Sequence, residues 1–247
     1  MAIPGTLPHD IRPTLVGPFD ALYGGLIPGE VAVLASDDID LARLVALDIA
    51  AGVVQPNEER RSKAAQAVWY RAGPDGWPSW VYEAELRTRS PEYARRVDVS
   101  GSSGIHANEL HTRIRTWAER ADGPALVVID TLEGLAGRTG TQARAFKGMA
   151  LRRPQVAVLL LSLWPHTRQA PTVADYDELG EAVDFLVHLQ GPDRPSDIQL
   201  RLLAPPDSMV CDVRKARSGY APAVLRLPAP SRRTERAPMP PGPAPLG

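Results

Sequence analysis

Three short, uninterrupted apolar runs constrain this chain more than any other feature: VAVLA at residues 31–35, ALVVID at 125–130 and VAVLLLSL at 156–163. A half-buried strand alternates apolar and polar residues, whereas a central parallel strand is covered on both faces and shows no polar side. AVWYR at residues 67–71 has the same character, and residues 97–99 read as a short edge strand. Between the runs, apolar residues recur at helical spacing, as Leu41, Leu44, Val45, Leu47 and Ala51 in one segment and Leu110, Ile114, Trp117 and Ala118 in another. Further helices are expected at 142–151 and at 79–89, the latter entered through Ser79 as its N-cap. Strand–helix alternation up to residue 163 predicts an α/β fold with a mostly parallel central sheet flanked by helices. A short acidic helix or turn follows at 175–182. Strands are then expected in close succession at 183–189, 198–203, 209–214 and 223–227, a C-terminal β extension.

The chain has 247 residues, enough for one α/β domain with its own core. That domain is expected over residues 14–227. Residues 1–13 form a Pro-containing arm, and residues 228–247, with seven prolines in twenty, a disordered Pro/Arg-rich tail. The single cysteine, Cys211, excludes an internal disulfide and suits a reducing compartment. No signal-peptide pattern or long apolar span is visible, so a cytoplasmic protein without a membrane partner is expected. A net charge of −1 excludes a uniformly basic nucleic-acid coat, and any nucleic-acid surface must be local. Arginine supplies 25 of the 28 cations, so its frequency alone says little about nucleic acid.

Residues 31–50, VAVLASDDIDLARLVALDIA, have the strand–turn–helix frame of a phosphate-binding loop without the residues that bind phosphate. A working GxxxxGK[ST] loop closes backbone N–H groups around the phosphates, reaches them with its Lys and holds Mg²⁺ with its hydroxyl. Ser36, Leu41, Ala42 and Arg43 stand at the positions of the two glycines, the Lys and the Ser/Thr. Asp37, Asp38 and Asp40 place negative charge where a triphosphate would sit, each contact costing on the order of a kcal/mol. Such a loop should repel nucleotide. The three acids are either a metal site or simple helix N-terminal acids favoured by the macrodipole. Arg43 either pairs with them or points to water.

Five segments, in order, resemble the RecA-like motor domain of DnaB-type replicative helicases, with KaiC- and RadA-like ATPases as more distant candidates. GPFDALYGGLIPGE at 17–30 is similar to the segment leading into the family's first strand. Residues 31–50 align without a gap to its P-loop strand and helix, and ALVVID resembles the Walker B strand, with Asp130 at the acid position. DYDELGEAVDFLVHL at 175–189 resembles an acidic segment of the family and the strand after it. VRKARSG at 213–219 resembles a Lys-x-Arg-x-Gly element that in that family reaches a neighbouring subunit's nucleotide, here Lys215 and Arg217. The resemblance implies a RecA-like P-loop NTPase fold over residues 14–227, a role in DNA replication or recombination, and homo-oligomer contacts.

The departures point away from catalysis. Besides the altered loop, the family's catalytic Glu falls near Gly73, and the Gln that follows its next strand is replaced in Ser162-Leu163-Trp164. Phosphate clamp, metal hydroxyl and water-activating carboxylate are thus lost together. Asp130 either binds Mg²⁺ through water or serves a structural hydrogen bond. Lys215 and Arg217 either complete the site of a competent RecA-like partner or are exposed cations.

Residues 137–154 contain Arg138, Arg144, Lys147, Arg152 and Arg153 and no acid, a candidate grip on single-stranded DNA or a solvated basic face. The histidines do not fall at metal-ligand spacing, and no metal site or catalytic residue is expected. Three function classes follow: a pseudo-ATPase without cofactor that binds a partner protein or DNA, an active helicase or ATPase using ATP and Mg²⁺, and a scaffold unrelated to DNA.

Overall fold

The computed structural model describes residues 26–56, 65–72, 76–101, 107–121, 123–135, 139–163, 179–190, 208–215 and 224–228. Its strands are β1 (Val31–Ser36), β2 (Gln66–Arg71), β3 (Val97–Gly101), β4 (Ala125–Asp130), β5 (Val156–Leu163), β6 (Phe185–Gln190), β7 (Ser208–Lys215) and β8 (Val224–Pro228). Among the described residues they form one eight-stranded sheet in the order β3-β2-β4-β5-β1-β6-β7-β8. β1 to β6 run parallel, while β7 pairs antiparallel with β6 and β8 antiparallel with β7. The expected parallel sheet with a C-terminal β extension is therefore present. The strand expected at 198–203 lies outside the described residues, as do 175–178, the arm and most of the tail.

The four long helices are α1 (Ile39–Val53), α2 (Ser79–Arg89), α3 (Ala107–Arg120) and α4 (Thr139–Arg152). The unbroken apolar runs have a direct cause. In β1, Val31, Val33 and Ala35 join one core with α3 and α4, while Ala32 and Leu34 join a second core with α1 and α2. Each fully buried Val, Leu or Ile contributes roughly 1.5–3 kcal/mol, so a strand covered on both sides has no position to give to a polar residue. β3, by contrast, is the sheet edge and carries exposed Asp98.

Helix α2 corrects one expectation. Its N-cap is Pro78 (φ −55°, ψ 145°), without a side-chain cap hydrogen bond, and Ser79 is the first helical residue. The helix start is fixed instead by a staple across the cap. Trp77 and Tyr82 stack with ring centroids 5.4 Å apart, and the Trp77 backbone N–H donates to the Tyr82 hydroxyl at 3.1 Å. This contact lets a capless start persist, and it also aims Tyr82 at the carboxyl end of β4.

Candidate functional site

Open α/β sheets bind ligands outside the carboxyl ends of their strands, and β1, β2 and β4 end together there. Ser36 closes β1. Its buried hydroxyl donates to the Leu189 carbonyl at 3.0 Å and accepts from the Asp38 N–H at 3.1 Å, tying β6 to the turn. Only residues 37 and 38 separate β1 from α1. Asp38 is the N-cap, and its carboxylate accepts from the Asp40 and Leu41 N–H groups at 3.0 and 3.3 Å. The Leu41 and Ala42 N–H groups also turn to the Asp38 carbonyl, at 3.1 and 3.3 Å. Donors that a phosphate-binding loop would leave open are wound into the first turn of the helix. The Leu41 and Ala42 side chains lie in the core.

Arg43, one turn into α1, is 3% exposed. Its Nε lies 3.1 Å from both carboxylate oxygens of Asp130, and its NH1 lies 2.9 Å from Oδ1 of Asp40. The guanidinium also stands 5.8 Å from the Trp77 ring centroid. Asp130, wholly buried at the end of β4, accepts two further bonds, from the Tyr82 hydroxyl at 2.6 Å and Trp69 Nε1 at 3.3 Å. Trp77 Nε1 donates to Asp40 Oδ1 at 2.8 Å, closing the ring of contacts.

Electrostatics follow from this packing. Burial works to lower the Arg43 pKa, but the charge and hydrogen bonds of Asp130, with help from Tyr82 and Asp40, outweigh it and raise the value. Burial first, then the Asp130 charge, push the Tyr82 hydroxyl far up, so it stays protonated and can only donate to that carboxylate.

Of the three loop acids, Asp38 is occupied as a helix cap and Asp40 is the one bonded to Arg43. The expected partner cluster is thus only partly used, and the principal partner is Asp130, 87 residues away. A magnesium–triphosphate does not fit these residues. Arg43 occupies the position of the metal-binding hydroxyl and presents its own positive charge to the acid that would face Mg²⁺. Ala42 offers no ammonium to a phosphate. Among the described residues no group of three or more His, Cys, Asp or Glu is placed to hold a metal ion.

The basic segment is largely committed to acids. Lys147 Nζ lies 2.6 Å from Oδ1 of Asp184, whose other oxygen accepts from the Val31 N–H at 2.8 Å. Arg153 meets Glu119 at 2.8 Å, and Arg144 approaches Glu181 at 3.9 Å. Arg152 is exposed, and Arg138 lies outside the described residues. Lys215 is the last residue of β7, opposite Leu186, while Arg217 is not among the described residues. At the end of β5, Ser162 donates to Glu133 at 2.5 Å, and the Leu163 N–H donates to the other Glu133 oxygen at 3.0 Å.

Sequence reasoning missed Trp69, Trp77 and Tyr82. The available signal was three aromatics with polar handles clustered around the second strand and the start of α2, where a buried acceptor must exist to satisfy them.

No protein-family model and no curated protein sequence matches the chain. Its fold is similar to that of a separately solved ATPase domain, with a TM-score of 0.63 and 13% identity over 89% of this chain and 88% of that one. It is also similar to a DnaB-like replicative helicase studied with primase, with a TM-score of 0.65 and 14% identity over 90% of this chain and 62% of that one. The RadB recombinase matches with a TM-score of 0.59 and 15% identity, covering 87% of this chain and 94% of that one. Among the described residues, no helix is long and apolar enough to cross a membrane. The chain therefore has the RecA-like α/β fold shared by these ATPase, helicase and recombinase structures.

Proposed function

We propose that this chain is a pseudo-ATPase: a RecA-like module that has exchanged its nucleotide for an internal ion pair and serves a DNA replication or recombination assembly by binding a partner. The observation that carries this reading is the buried Arg43–Asp130 pair, which joins the two positions that share a metal ion in a working site. A nucleotide normally helps to organise such a loop; here the guanidinium, the Asp38 cap and Ser36 hold it without one. A protein partner is favoured over DNA because Lys147, Arg153 and Arg144 already face carboxylates. A competent RecA-like subunit is one such partner, with Lys215 and Arg217 reaching its nucleotide.

Equilibrium titration with labelled ATP and Mg²⁺ tests the reading. Absence of saturable binding below millimolar ATP is expected. Micromolar binding with turnover would overturn it.

A further inference from the structure

On the sheet face opposite α1, helices α3 and α4 leave an open groove of about 600 Å³ lined by His111, Thr112, Arg115, Met149, Arg152 and Arg153. Its floor is largely apolar. The His111 ring stacks on Phe146 with centroids 4.5 Å apart, and the Met149 thioether lies beside it. Its rim is cationic. Arg153 is paired with Glu119, whereas Arg115 and Arg152 are exposed and have no carboxylate partner among the described residues. The Arg152 guanidinium folds back along α4, 3.5 Å from where a Cβ on Gly148 would stand, so it lies over the helix surface instead of reaching away. His111 Nε2 is buried without a hydrogen-bond partner in the same wall.

We propose that this groove docks a short acidic segment of a partner protein, one that places an apolar side chain on Met149 and His111 and carboxylates on Arg115 and Arg152. Arg guanidinium forks suit planar carboxylates, and an adaptable Met floor suits an aliphatic anchor. Single-stranded nucleic acid is disfavoured by the same geometry. It binds by stacking bases on open aromatic faces, and here Phe146 is wholly buried and His111 is stacked upon it. The inference rests on the reading of the chain as a partner-binding module and names the chemistry of that partner; it is independent of whether ATP binds.

The test uses the full chain and a fluorescein-labelled peptide alternating Glu-Asp pairs with Leu, followed by anisotropy at low and moderate salt. A peptide of the same charge with Ser for Leu and a labelled oligothymidine serve as comparison probes. Binding of the Leu peptide, weakened at least tenfold by Arg115→Glu with Arg152→Glu and unchanged by Arg87→Glu with Arg95→Glu, is expected. The control pair removes the same charge from exposed sites elsewhere. The Ser peptide should bind more weakly than the Leu peptide. Absence of peptide binding, equal loss in both double variants, equal binding of the Ser peptide, or tighter oligothymidine binding that depends on Arg115 and Arg152 would each overturn the proposal. Loss of peptide binding with ATP still excluded would sink this inference alone, and the ATP titration decides the pseudo-ATPase reading separately.

Discussion

Nε of Arg43 lies 3.1 Å from both carboxylate oxygens of Asp130, with the arginine 3% exposed and the aspartate wholly buried. Removing two charges from water costs several kcal/mol per ion, and the pair recovers this only through close geometry and further hydrogen bonds. Tyr82, Trp69 and Asp40 supply those bonds. Arg43→Ala leaves Asp130 buried and uncompensated, and a loss of about 3–5 kcal/mol is expected in urea unfolding. Arg43→Met combined with Asp130→Asn removes both charges while keeping an acceptor for Tyr82, and should recover most of that loss. Equal damage in the single and double variants would contradict a coupled pair.

Tyr82 both donates to Asp130 and accepts from the Trp77 N–H. Tyr82→Phe deprives the carboxylate of a donor and leaves a buried amide unmatched, so a loss of about 2–4 kcal/mol is expected. Ser79→Ala, one residue inside the helix without a cap bond, should change stability by less than about 0.5 kcal/mol. Chemical denaturation of both variants checks this contrast. A costly Ser79→Ala would restore Ser79 as the cap and remove the staple from the account.

Two buried groups give the protein a stability profile with pH. Burial first, then the charge of Arg152, lower the His111 pKa, so the unfolded chain takes up this proton more readily. Its contribution is complete above about pH 6.5 and fades as pH falls toward the lower folded value. The Tm difference between the natural protein and His111→Gln should therefore be constant above neutrality and shift against the natural protein in acid. A difference independent of pH would contradict it.

Burial pushes the Cys211 thiol up to about 12, while a thiol in the unfolded chain titrates near about 8.5. Its contribution is complete below the lower value and is lost as pH rises through the upper one. At pH 8 the native protein should react with a disulfide reagent only through opening, and promptly once unfolded in urea.

Much of this architecture was legible because the sheet is buried on both faces. β1, β4 and β5 announce themselves as unbroken apolar runs, and α3 by its spaced Leu110, Ile114 and Ala118. The site was only half legible. Altered residues at 36 and 41–43 are visible in one dimension, yet what Arg43 does depends on a partner that the fold brings from 87 residues away. Nearby acids looked like its natural partners, but Asp38 is taken by the backbone of its own helix. The staple at Trp77 and Tyr82 was hidden for a related reason: a Ser at the start of a helix reads as a cap unless the aromatic contact across it is known. The basic run at 137–154 misled in the other direction, since Glu119, Glu181 and Asp184 come from other elements.

Thermal unfolding with and without 1 mM MgATP, an amount set by the arithmetic of linkage, tests the central claim most directly. A ligand bound with a Kd of about 10 μM would add about 2.7 kcal/mol at roughly 100 times that concentration, a rise on the order of 5–10 °C for a domain of this size. With the acid of β4 held by Arg43, the two unfolding curves should superimpose. A rise of several degrees that disappears in Asp130→Asn would contradict the account.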